Sequence, residues 1–71
     1  MLTRELFGLE VLDVNANRIG RVMEVDVDMI QGLVNNMVVK AGLMKKYHIG
    51  LDKIDKLGDR IVLNVPEEAL K

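Results

Sequence analysis

Six glycines punctuate this 71-residue chain, at Gly8, Gly20, Gly32, Gly42, Gly50 and Gly58, never more than twelve residues apart. Between them lie short runs rich in Val, Ile and Leu. Segments that short leave no room for packed helices. The spacing therefore predicts an all-β meander or barrel of brief strands joined by tight turns. The clearest strand is residues 19–28, where Met23, Val25 and Val27 alternate with Glu24, Asp26 and Asp28. That is a period of two; a period of 3.6 would mix the acids into the apolar stripe.

Neighbouring segments fit the same reading. Residues 7–14 form a first strand with a bulge or close approach at Gly8. Asn15-Ala16-Asn17-Arg18 supplies the following turn, because Asn tolerates a positive φ. Gln31-Gly32 closes the next hairpin. Residues 33–40 form a third strand with Met37 and Val39 on one face and Val34 and Val38 on the other. Two apolar faces imply burial from both sides. Residues 47–51 and 53–57 read as short strands, although Leu51, Ile54 and Leu57 are spaced by three, which also suits a helical turn. Gly58-Asp59 turns the chain into a strand over 61–65. Pro66 stops it, and Glu67-Glu68 suit the start of a short terminal helical turn. The expected barrel residues are Val11, Ile19, Val22, Val25, Val27, Val38, Ile54, Ile61 and Leu63. No repeat, linker or charge block divides residues 1–71, so one domain is expected.

Residue inventory bears on chemistry. There is no Cys and no Ser, Thr3 is the only Thr and His48 the only His. Nucleophilic catalysis needs a hydroxyl or thiol beside a base, and His48 has no such group to activate. The chain reads as a binding protein, without catalytic residues and without a cofactor. Asp26 and Asp28 sit at i and i+2, so both carboxylates face one side of a strand and could grip a hard cation. A Mg²⁺ or Ca²⁺ cage needs more converging oxygens than this stretch supplies, and a solvated strand face that discourages edge pairing is the simpler reading. No metal site is expected. Residues 1–5 show no basic segment leading into an apolar run, and no apolar stretch approaches the roughly 20 residues of a membrane-spanning helix. A cytoplasmic protein without membrane insertion is expected. At this size a core rarely supplies more than roughly 3–5 kcal/mol, so self-association is a physical expectation.

The order Gly8-x-x-Val11-x-Asp13, then Asn17-x-Ile19-Gly20-x-Val22-x-x-Val25-Asp26-Val27-Asp28, then Gly32 and Val34, resembles the PRC-barrel family. Ile49, Ile54, Leu57-Gly58-Asp59 and Ile61-Val62-Leu63 continue the resemblance, which covers roughly residues 5–65. It departs from the family at Asn17-Arg18, where Asp-Gly is common, and at Gly50-Leu51, where a Pro is common. The family is named for the cytoplasmic part of the photosynthetic reaction centre H subunit and includes the C-terminal domain of the ribosome maturation factor RimM. The resemblance implies a small barrel of about six short antiparallel strands, used for protein–protein contact and often dimeric, with no catalytic motif. A stand-alone version of this size is similar to archaeal members, some of them linked to cell division.

Two binding readings follow. In the first, the chain is a homodimeric adaptor that presents the turn residues Met29, Ile30, Leu43 and Met44, together with Tyr47, to another protein. Turns expose such residues, and Met's flexible thioether suits adaptable surfaces. The same residues could instead fold back to plug the ends of the barrel. In the second, Lys40, Lys45, Lys46, Lys53 and Lys56 form a basic patch for RNA or the ribosome. Against it stand only two aromatics, Phe7 and Tyr47, a net charge of −1 and a pI of about 5.7. Charge is also unevenly dealt. Residues 1–39 sum to −3 and residues 40–65 to +3, so complementary halves could attract within one barrel or across two copies.

Overall fold

The computed structural model describes residues 3–70. One six-stranded sheet holds β1 (Glu10–Leu12), β2 (Arg18–Asp28), β3 (Leu33–Ala41), β4 (Lys45–Gly50), β5 (Ile54–Leu57) and β6 (Ile61–Leu63). Three 3₁₀ turns accompany it, at Thr3–Glu5, Leu51–Lys53 and Glu67–Leu70. The last is the expected C-terminal turn. Strand order is β4-β3-β2-β1-β6-β5, so β4 and β5 are consecutive in the chain yet lie at opposite edges of the sheet. Only Leu51–Lys53 joins them, a link that spans at most roughly 14 Å. The sheet must therefore curl until its edges approach, giving a barrel closed by a covalent link instead of a sixth strand pairing.

That link also explains one departure from the expected all-antiparallel meander. Four of the five pairings are antiparallel, but β1 and β6 run parallel, with Val11 opposite Ile61 and Leu12 opposite Val62. Each hairpin reverses the chain. The Leu51–Lys53 turn instead carries it onward from one edge to the other, so β6 arrives in the same sense as β1. The first strand is also shorter than residues 7–14; Gly8 takes a left-handed φ of 83°, although its N–H still donates to the Val22 carbonyl of β2 (2.8 Å).

Bulges decide which residues reach the core. In β2 the register against β3 slips between Val22 and Glu24. An extra residue flips the alternation, so Val22 and Val25, three apart, both face inward, opposite Val39 and Met37. Met23 is taken out of the phase that strict alternation predicts. A second slip, between Ile54 and Lys56, does the same for Ile54 and Leu57, and thus accommodates the spacing of three. The core comprises Val11, Ile19, Val22, Met37, Val39, Tyr47, Ile49, Ile61 and Leu63, with Val25 and Ile54 partly buried against it. Two expected barrel residues are placed otherwise. Val27 lies on the projecting part of the β2–β3 hairpin and is 37% exposed. Val38 is buried but stands apart from the core cluster, on the outer face of β3.

Asp13 organises the β1–β2 turn. It is 1% exposed, and its Oδ1 accepts from the backbone N–H of Asn15 (2.9 Å) and Asn17 (2.8 Å). These bonds hold Ala16 at a left-handed φ of 65°, a conformation that costs a residue with a Cβ roughly 1–2 kcal/mol. The turn thus takes its positive φ at Ala16, and the two Asn residues contribute their N–H groups instead. Oδ2 accepts from the Glu67 N–H (3.1 Å), and the Val14 N–H donates to the Val65 carbonyl (3.1 Å). The turn after β1 is thereby fastened to the C-terminal segment.

Gly20 is required by space, not by φ. A Cβ there would overlap the Lys40 carbonyl oxygen where β2 and β3 cross closely. Gly58, by contrast, has open space around it. Gly20→Ala is expected to lower unfolding free energy by about 3 kcal/mol, as overpacking against backbone does. Gly58→Ala should change it by about 0.5 kcal/mol or less. Urea unfolding of both variants checks this.

Candidate binding surfaces

Curling the sheet leaves an apolar groove along its mouth. One wall is the inner side of the β2–β3 hairpin, with Val25, Val34 and Met37; the other is the 3₁₀ link and β5, with Leu51, Ile54 and Leu57. Leu6 and Ile61 complete a cleft of about 210 Å³. Leu51 and Leu57 are 45% and 47% exposed at its rim. The bulge at Asp55 turns Ile54 and Leu57 to the same side, and the cleft presents almost no polar group. The spacing of three among Leu51, Ile54 and Leu57 was the sequence signal for this wall. Val34 gave none, because its placement depends on a register slip between Asp26 and Val27.

The turn residues expected to form one apolar surface do not lie together. Met29 and Ile30 sit at the β2–β3 tip, 87% and 97% exposed, while Leu43 and Met44 sit at the β3–β4 tip, 91% and 96% exposed. The nine residues of β3 separate these tips by roughly 27 Å. Neither pair folds back as a plug. The first tip is tightly held, since Asp28 Oδ1 accepts from the N–H of Ile30 (2.9 Å) and Gln31 (3.1 Å). Gly32, at a φ of 70°, donates to the Asp28 carbonyl (2.7 Å). Asp28 is thus a turn cap. Among the described residues, no three His, Asp or Glu side chains converge as metal ligands.

Tyr47 is not a surface residue. It is 4% exposed within the core, its hydroxyl donates to Glu67 Oε2 (3.3 Å), and the Lys45 ammonium lies 5.0 Å from its ring centre. Hydrogen bonding and charge interaction with Tyr47 hold the Lys45 pKa above its ordinary 10.5. Alternation in β4 places Tyr47 inward and the smaller, more polar His48 outward.

The five lysines divide as well. Lys40 and Lys46 are direct cross-strand neighbours on the outer face, with Lys45 beside them at the rim. Lys53 lies in the link beyond the far end of β4, and Lys56 lies on β5. No single basic patch contains them all. The outer face of β2–β3–β4 instead carries a depression of about 270 Å³ lined by Glu24, Asp26, Asn36, Val38 and His48. Beside the β1 strand, Glu10 pairs with Arg18 and Arg60 at 3.4 Å each. Among the described residues no helix is long and apolar enough to cross a membrane.

The buried Asp13 carboxyl has a pH signature. Desolvation alone would raise its pKa, but the bonds from the Asn17, Glu67 and Asn15 N–H groups and the Asn17 amide outweigh it. The carboxyl is held below its ordinary 3.8. A depressed folded-state pKa means its stabilisation is complete above the unfolded-state value and is lost as pH falls through the folded one. Asp13→Asn should therefore be less stable than the parent at pH 7, with the gap narrowing as pH drops below about 4. Melting curves of both proteins across that range read this directly.

A family model described as PRC-barrel domain matches residues 1–70 of the chain. No curated protein matches it.

Proposed function

The chain belongs to the PRC-barrel family, and from that premise we propose that it is a protein-binding module, a homodimeric adaptor that works by contact without catalysis. The apolar groove between the β2–β3 hairpin and β5 carries this reading. Its lining of Val25, Val34, Met37, Leu51, Ile54 and Leu57 offers burial for aliphatic side chains and almost nothing for a phosphate, a sugar or a charged metabolite. The occupant that fits is a segment of another protein that displays Leu, Ile, Met or Phe. Such a segment would bury apolar surface worth about 25 cal/mol per Å². The exposed Met29–Ile30 tip, at the far end of the hairpin that forms one groove wall, extends the apolar contact surface. Scaffolding in archaeal cell division is the most concrete role that relatives of this kind suggest.

A ribosome- or RNA-associated role is the second reading, and the adjacent Lys40, Lys45 and Lys46 favour it. Two features weigh against it. Glu24 and Asp26 share the face with Lys40 and Lys46, and Tyr47, the aromatic nearest the lysines, is buried and closed to stacking.

A pull-down from cytoplasm with the tagged chain, half of it treated with nuclease, separates the two. Protein partners should survive nuclease, and Leu57→Lys should reduce their capture roughly tenfold, as loss of a central apolar anchor does. Partners stripped by nuclease and indifferent to Leu57→Lys would put the RNA reading first.

A further inference from the structure

The outer face of β2–β3–β4 has an ordered distribution of charge. Cross-strand register sets three rows across it. Arg21, Lys40 and Lys46 lie side by side in the first. Glu24, Val38 and His48 form the second, and Asp26, Asn36 and Gly50 the third. Successive rows are two residues apart along β3, roughly 7 Å. One end of the face is therefore basic, the centre is apolar at Val38, and the other end is acidic.

The basic row is unfavourable for an isolated barrel. Like charges directly opposite on neighbouring strands repel, and Lys40 and Lys46 are such a pair. Among the described residues, the ion pairs join Glu10 to Arg18 and Arg60, and Asp52 to Lys53. None of them involves Lys40, Lys46, Glu24 or Asp26. Val38 is 8% exposed although it points away from the core, at the floor of the 270 Å³ depression beside the two carboxylates.

We propose that this face is the docking surface for a second copy of the chain, with the basic end of each copy seated on the acidic end of the other. The proposal rests on the homodimeric reading above and adds the face and the chemistry of the contact. A two-fold interface must be self-complementary, with residue i meeting j and j meeting i. A surface that is basic at one end, acidic at the other and apolar between satisfies that condition. A partner of a single charge would match only half of it. The lysine side chains of one copy are long enough to enter the depression of the other and place an ammonium between Glu24 and Asp26. The Val38 side chains then lie near the two-fold axis. Two such contacts form at once, and the apolar groove stays open on the opposite side of the sheet.

Sedimentation velocity over a concentration series tests this with three proteins. The parent chain should dimerise, and raising salt from about 50 mM to about 500 mM should weaken the dimer several-fold as the charges are screened. Lys40→Glu with Lys46→Glu, and separately Glu24→Lys with Asp26→Lys, should each weaken self-association roughly tenfold or more. Mixing these two variants should restore a dimer, now mixed, which a misfolded variant could not do. A dimer that persists unchanged in both variants would overturn the face while leaving the homodimer intact. Loss in both without recovery on mixing would overturn it as well. A parent chain that stays monomeric throughout would overturn this proposal and the homodimeric reading together, and would leave groove binding, read by Leu57→Lys, standing on its own test.

Discussion

A three-residue link between the two edges of one sheet shapes this molecule. Leu51–Lys53 carries the chain from the end of β4 to the start of β5, and those strands lie at opposite ends of the strand order. A flat six-stranded sheet would hold its edges roughly 24 Å apart at about 4.8 Å per strand, well beyond the reach of the link. Curling is therefore imposed by covalent length. From it follow the enclosed core, the parallel β1–β6 pair and the groove where the two edges approach.

Asp13 performs a second fastening. With an unclosed seam between β4 and β5, the C-terminal segment would be held mainly by the short β1–β6 pairing. The Asp13 carboxylate ties the turn after β1 to Glu67, and Tyr47 reaches the same residue from β4. One buried carboxylate thus joins a strained turn to the terminal 3₁₀ turn, which the edge strand β4 also holds through Tyr47.

Much of the fold was legible in the sequence because period-two alternation and glycine punctuation report directly on strands and turns. Residues 19–28 and 33–40 emerged as strands from their apolar residues, each within one residue of the observed β2 and β3. The motif Ile19-Gly20 carries a real constraint, the close crossing of β3 behind Gly20. What escaped notice on the strands has a definite cause. Bulges insert a residue that propensity does not announce, so Val34, which strict alternation sets on the face of Val38, instead lines the groove with Met37. Strict alternation cannot yield that placement. Tyr47 was expected at the contact surface beside the β3–β4 turn, whereas its position opposite Val39 in β3 fixes it inward. For the tip residues Met29, Ile30, Leu43 and Met44 the sequence left exposure and plugging both open, and the structure shows them exposed. Their separation along β3 is a tertiary fact that spacing alone does not reveal.

The surfaces divide the labour suggested for a contact module of the PRC-barrel family. An apolar groove faces one way, and a charged, self-complementary strand face points the other, so a dimer could present two grooves at once and gain avidity for a repeated ligand. The central claim concerns the chemistry that the groove accepts. Panning a random peptide library against the protein, then following the bound peptide by amide chemical shifts, tests it most directly. The account predicts enriched peptides dominated by aliphatic and aromatic side chains, with shifts concentrated at Val34, Met37, Ile54 and Leu57. Enrichment of acidic peptides, with shifts centred on Lys40, Lys45 and Lys46 and none in the groove, would contradict it.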